Sequence, residues 1–223
     1  MLLAAWGAFV YLNRFAEELE PEAMADAKRG SERAIVLIHG AWLGAWCWER
    51  VIPLLESAGD RVIAPDLPGH GEDDTPPEAV SAGAYIDAVT RIVARQDGPV
   101  ILAGHSMSGM VISQVAERAP ERIRLLVYIA GFLLEDGRSI NDTQAQVRGS
   151  LVAPRMVIGP DRNTLTFPDE ILREAFYADC SEDDFLKARQ RMRPQPLEPF
   201  LAPVHVTAER FGRLPRVYIE CLH

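Results

Sequence analysis

Cysteine is scarce in this 223-residue chain: only Cys47, Cys180 and Cys221, widely separated and odd in number. There is no CxxC pair and no Cys/His ligand spacing, so neither a zinc site nor a disulfide framework is indicated, and no cofactor or metal is expected. Reduced thiols fit a cytoplasmic protein. Positive charge is also short: 23 Lys and Arg face 32 Asp and Glu, a net charge of −9. Phosphate contacts need clustered cations, so nucleic acid is not an expected partner. The densest basic run, Arg189, Arg191 and Arg193, reads as a solvated lid helix. Long hydrophobic runs are missing as well. The apolar stretch from Leu2 to Leu12 falls short of the roughly 20 residues a membrane span takes. No positive n-region precedes it, as a secretory signal would require. Residues 1–32 are therefore read as an N-terminal extension, either a docking helix or a clipped membrane anchor. Internal repeats and low-complexity tracts are absent.

What is present is ordinary globular composition, 48% hydrophobic and 25% charged, in a chain long enough for one substantial core. AIVLI (34–38) is a short continuous apolar run, the pattern of a strand buried on both faces. Further strands are expected at RVIAP (61–65), VILA (100–103), LLVYIA (125–130) and from Arg216 to Cys221. Between them lie helical stretches: Val51 to Ala58 before Gly59, and a face of Tyr85, Ala88, Val89, Ile92 and Val93 with Ser81 as its cap. A third runs from Met107 to Arg118 before Pro120. Strands alternating with helices predict an α/β fold, a mostly parallel sheet with helices on both faces. From Leu133 the pattern changes to charges, prolines and short amphipathic pieces at 170–177 and 182–191. The expected division is therefore a core over 33–132, an inserted helical cap over 133–210 and a return to the core from 211.

Ser106 carries the chemistry. It follows a strand, precedes a helix and sits in Gly104-His-Ser-Met-Ser108, where small residues allow a sharp turn that exposes a hydroxyl. Reactive groups of open parallel sheets collect at such strand ends. Met107 N–H, at a helix N-terminus, suits an oxyanion formed when Ser106 attacks an acyl carbon. The second donor is expected in the loop after the first strand, as the N–H of Ala41, with Gly40 letting the backbone approach. The neighbouring His105 reads as structural, as do Asp66 and His70 in a turn-rich loop. Asp136 is a weak alternative acid with no base beside it, and neither His205 nor His223 is assigned a role.

The segments IHGAWLGAWCW (38–48), APDLPGHG (64–71), GHSMSGM (104–110), LVYIAGF (126–132) and FGRLPRVYIEC (211–221) together resemble the α/β-hydrolase family. The nearest branch is that of methylesterases and hydroxynitrile lyases with their bacterial esterase relatives. The resemblance implies an α/β-hydrolase fold and a serine hydrolase of small carboxylic esters acting through an acyl-serine, with a small-molecule ester as partner. It implies a Ser/Asp/His order in which Asp follows the strand ending at Cys221 and His comes later. By that alignment the triad acid and base are absent from this chain, as are the final strand and helix. The strand 216–221 is then expected at an exposed sheet edge, and the fragment is expected to be impaired and aggregation-prone. Two alternatives stand beside hydrolysis: a hydroxynitrile lyase, which carries Thr where Gly40 stands, and a non-catalytic ligand binder on the same fold. The aromatics Phe167, Phe176, Tyr177, Phe185 and Phe200, with Trp42, Trp46 and Trp48, are either pocket wall or packed core. The sequence does not specify an oligomeric state.

Overall fold

Side chains of successive strand residues point to opposite faces, so a run of apolar residues can bury both. The computed structural model describes residues 33–147 and 150–221. The readings made for residues 1–32 and for His223 lie outside them. Strands β1 (Ala34–Ile38), β2 (Arg61–Ile63), β3 (Val100–His105), β4 (Ile123–Ile129) and β8 (Arg216–Ile219) form one sheet in the order β2-β1-β3-β4-β8. Every pairing is parallel. Val36, Ile38, Leu102, Leu126 and Tyr128 enter one buried cluster, and Ile35, Leu37, Ala103, Val127 and Ile129 enter another on the opposite face.

The first face is covered by α2 (Ala82–Ala94) and α3 (Ser108–Arg118). Ser81 caps α2, its Oγ accepting from Ala84 N–H at 3.1 Å, and Tyr85, Val89 and Val93 point inward as their spacing predicts. The second face is covered by the 3-10 turn Ala45–Trp48 and by α1 (Ile52–Ser57), through Trp48 and Leu55. Gly59, at φ +88°, ends α1 in a conformation that costs glycine nothing. Arg33 and Asp60 join the starts of β1 and β2 by a two-point ion pair at 2.6 and 2.9 Å. Among the described strands β8 is an edge, with Tyr218 about half exposed against Tyr128.

Residues 133–210 hold α4 (Ile140–Gln144), α5 (Asp169–Phe176), α6 (Glu182–Arg191) and α7 (Glu198–Leu201). They also hold β5 (Val157–Ile158), β6 (Thr164–Thr166) and β7 (Gln195–Pro196), a small antiparallel sheet. The purely helical expectation for this segment misses that sheet, because strands of two or three residues are too short to show a period. The basic run is engaged with acids: Arg189 bonds Asp169, Arg191 lies 2.6 Å from Glu49, and Arg193 lies 3.0 Å from Asp74. The aromatics pack on one another. Trp42 has Phe167, Phe176 and Phe200 at 4.3, 6.0 and 5.7 Å between ring centroids, and Tyr177 and Phe185 are buried together.

Candidate active site

Three features of the turn between β3 and α3 follow from its sharpness. Ser106 has φ +52°, a left-handed conformation that costs a residue with a side chain about 1–2 kcal/mol. It is half-buried, neither sealed in hydrocarbon nor part of a helix. Its backbone is held on both sides, with Ser106 N–H donating to Ile129 O at 3.1 Å and Phe132 N–H donating to Ser106 O at 2.9 Å.

The steric demand for small residues falls on Gly104 and Gly109. A Cβ on Gly104 would lie 2.6 Å from the Ser108 carbonyl oxygen, and one on Gly109 would lie 2.6 Å from Phe132 N. Ser108, where the usual pattern has glycine, is fully buried and directs its hydroxyl to the carbonyl of His39. Sequence reasoning treated it as a tolerated small residue; the partner lies 69 positions away, beyond any local signal.

The loop after β1 comes directly against this turn. A Cβ on Gly40 would stand 3.1 Å from Ser106 Cβ and 2.7 Å from His105 Nδ1. Only glycine lets the backbone come so near without displacing a neighbour. The Ala41 and Met107 N–H groups, the two expected oxyanion donors, make no hydrogen bond among the described residues. Both residues are buried. Orphan backbone donors in buried surroundings are uncommon, and a site that awaits an acceptor is one reason for them.

The nearby histidines are structural. Leu67 N–H donates to His39 Nε2 at 3.0 Å, so the proton of that ring sits on Nδ1 and is donated to Gly40 O at 2.8 Å. Burial lowers the His39 pKa to about 4, the Gly40 carbonyl opposing the shift. His105 is lowered to about 4 by burial and then by His39, and its ring meets Trp48 edge-on. His70, lowered to about 3 chiefly by burial, lies 2.9 Å from Tyr85 Oη, which also receives Gln195 Nε2 at 3.2 Å. Asp66 accepts the N–H groups of Ala45 and Glu72 at 2.6 and 3.0 Å, a turn-holding role.

Asp136 and His205, set aside separately in the sequence, come together at 3.7 Å. Both are well exposed, Asp136 also accepts from Val206 N–H at 3.0 Å, and neither bonds Ser106. Among the described residues no side chain hydrogen-bonds Ser106 Oγ. No group of three or more His, Cys, Asp or Glu is arranged to hold a metal there either. All three cysteines are free, and enclosure followed by the charge of Asp66 pushes the Cys47 thiol well above its usual range. A cavity of about 240 Å³ opens between the turn 45–48 and α6, lined by Trp46, Trp48, His105, Ile129, Tyr177 and Ala188 among others. It reaches His105 but not Ser106.

The chain matches the family model described as "Alpha/beta hydrolase family" over residues 35–221. It is 30% identical over 204 residues to "Putative methylesterase 14, chloroplastic" of Arabidopsis thaliana, an alignment covering 85% of this chain and 58% of that protein. To the "Pyrethroid hydrolase" of Sphingobium wenxiniae it is 34% identical over 196 residues, covering 84% of this chain and 70% of the relative. A solved pyrethroid hydrolase from Sphingobium faniae JZ-2 superposes with a TM-score of 0.75 at 31% identity, covering 86% of this chain and 79% of that one. The chain thus spans less than two thirds of the length of the Arabidopsis relative.

Proposed function

Because this chain belongs to the alpha/beta hydrolase family, we propose that the protein hydrolyses carboxylic esters of small molecules through an acyl intermediate on Ser106. The observation that carries this reading is the strained φ of Ser106 at a strand–turn–helix junction, with Gly40 packed against it and the N–H groups of the buried residues Ala41 and Met107 unpartnered. Its relatives named methylesterase and pyrethroid hydrolase support the same reaction class.

In this mechanism Ser106 Oγ attacks the ester carbon as its proton passes to a base. The carbonyl oxygen becomes an oxyanion, received by the N–H groups of Ala41 and Met107. Such donors stabilise charge that develops only in the transition state, which is where they lower the barrier. Collapse releases the alcohol with the base's proton, and water then cleaves the acyl-serine to give a carboxylate. The described residues supply no side chain bonded to Ser106 Oγ that could take its proton. By the resemblance, the acid and base would follow β8. Residues 133–210 serve as a cap over the core of 33–132 and 211–221, tied to it by Gln195 and Trp42.

Gly40 weighs against the lyase alternative, since it lacks the threonine hydroxyl with which such lyases bind the cyanohydrin oxygen. The direct test is labelling with a fluorophosphonate, located by peptide mass spectrometry, alongside hydrolysis of p-nitrophenyl acetate. Label on Ser106 and loss of hydrolysis in Ser106→Ala are expected. Hydrolysis that survives Ser106→Ala unchanged would remove the proposal.

A further inference from the structure

We infer that Ser108 and His39 are positioning residues that aim the Ala41 N–H at the oxyanion. The inference rests on the ester-hydrolase reading above and extends it to residues that touch no substrate.

A trans peptide is planar, so the C=O of Gly40 and the N–H of Ala41 point in opposite directions from one rigid unit. Fixing that carbonyl fixes the amide. Gly40 has no side chain to restrain its own backbone, and glycine has the widest conformational freedom of any residue. Something else must hold the plane: the Gly40 carbonyl accepts from His39 Nδ1–H and, at 3.4 Å, from Leu43 N–H, while Ser108 anchors the peptide before it. His39 Nδ1–H donates to Gly40 O at 2.8 Å, with the ring locked in that tautomer by Leu67 N–H on Nε2 at 3.0 Å. One residue earlier, the Ser108 hydroxyl donates to the His39 carbonyl. Two consecutive carbonyls of the β1 loop are thereby tied down, that of Gly40 by the imidazole of His39 and that of His39 by the first residue of α3. Both side chains are fully buried, so water does not compete for either bond.

The second contact couples the two proposed donors. Met107 N–H belongs to the residue before Ser108, and Ala41 N–H belongs to the loop that Ser108 restrains. The hydroxyl therefore sets the spacing between the donors, and His39, anchored by it, sets the direction of one of them. A glycine at 108 would leave the same space without the strut.

The test compares wild type, Ser106→Ala, Ser108→Ala, Ser108→Gly and Ser108→Thr for p-nitrophenyl acetate hydrolysis, with melting temperature recorded for each. Deleting an oxyanion donor costs about 10²–10³-fold in kcat; a misdirected one is expected to cost about ten- to fiftyfold. Ser108→Ala and Ser108→Gly should each lower kcat by that factor with KM within about twofold. Ser108→Thr, which keeps the hydroxyl, should return kcat to within about fivefold of wild type. Ser108→Gly keeps the experiment decisive if Ser108→Ala fails to fold, because glycine is the residue the usual pattern carries there. Loss of activity in Ser106→Ala together with unchanged kcat in folded Ser108→Ala or Ser108→Gly overturns the positioning role and leaves the hydrolase reading intact. A folded Ser108→Thr as slow as Ser108→Ala overturns it too. A wild-type protein whose ester hydrolysis survives Ser106→Ala, with the phosphonate label on another residue, overturns the parent reading, and this inference with it.

Discussion

Gly40 and Ser106 approach so closely that a single methyl group on the first would lie 3.1 Å from the Cβ of the second. The contact brings the end of one strand against the turn after another, 66 residues later, and makes the absence of a side chain a structural requirement.

Gly40→Ala should therefore lower stability by about 1–3 kcal/mol, the usual cost of overpacking, read from a urea unfolding midpoint. It should lower kcat as well, because His105 or Ser106 must give way. Gly83→Ala is the contrasting case. Gly83 lies in the first turn of α2 with only Ser81 Oγ near the added carbon, at 3.5 Å. That change should stabilise by about 0.5 kcal/mol through helix propensity and a less flexible unfolded chain.

Ser106 holds its left-handed conformation at a cost that glycine escapes. Ser106→Gly should be inactive yet more stable than Ser106→Ala by about 1 kcal/mol. Equal melting temperatures for the two variants would show that the turn stores no strain.

Stability should fall on acidification from neutrality. His39 and His105 are held at about 4 and His70 at about 3, each lowered by burial from 6.5. A depressed histidine pKa means the unfolded chain binds the proton first. Stability is thus complete above about pH 6.5 and is lost as pH falls toward 4, by about 1 kcal/mol per histidine at pH 5.5. Urea midpoints at pH 7.5, 6.5 and 5.5 check the slope. A variant such as His70→Phe should show a shallower fall over that range than wild type.

Tyr85 links helix α2 to the inserted segment, its Oη between His70 Nε2 and Gln195 Nε2. Tyr85→Phe leaves both nitrogens without that partner in a buried setting and should cost about 1–3 kcal/mol. Proteolysis within 157–196 should quicken if the link holds that segment to the core.

The five core strands and the helices between them were legible because each is announced within a few residues: apolar runs for strands, a 3.6-residue period for α2, Ser81 at its start. The turn at Ser106 was legible for the same reason, since its small residues are neighbours in the chain. Gly109 carries a steric demand that the motif assigns to position 108, and only the Phe132 backbone reveals why. The short strands β5, β6 and β7 announce nothing, because they exist through pairing with one another.

The sequence by itself determined the layered α/β architecture and the place of Ser106 at a strand end. Those properties depend on local pattern and on the geometry that any tight strand-to-helix turn must have. Tertiary structure alone decided that Ser108 reaches His39, that Gln195 reaches Tyr85, that Trp42 packs on Phe167, Phe176 and Phe200 while Trp46, Trp48 and Tyr177 also line a cavity, and that Asp136 pairs with His205 on the surface away from any bond to Ser106. The contacts that Ser108, Gln195, Trp42 and Asp136 make join residues 69 to 158 positions apart, and chain separation carries no record of which residues folding will bring together.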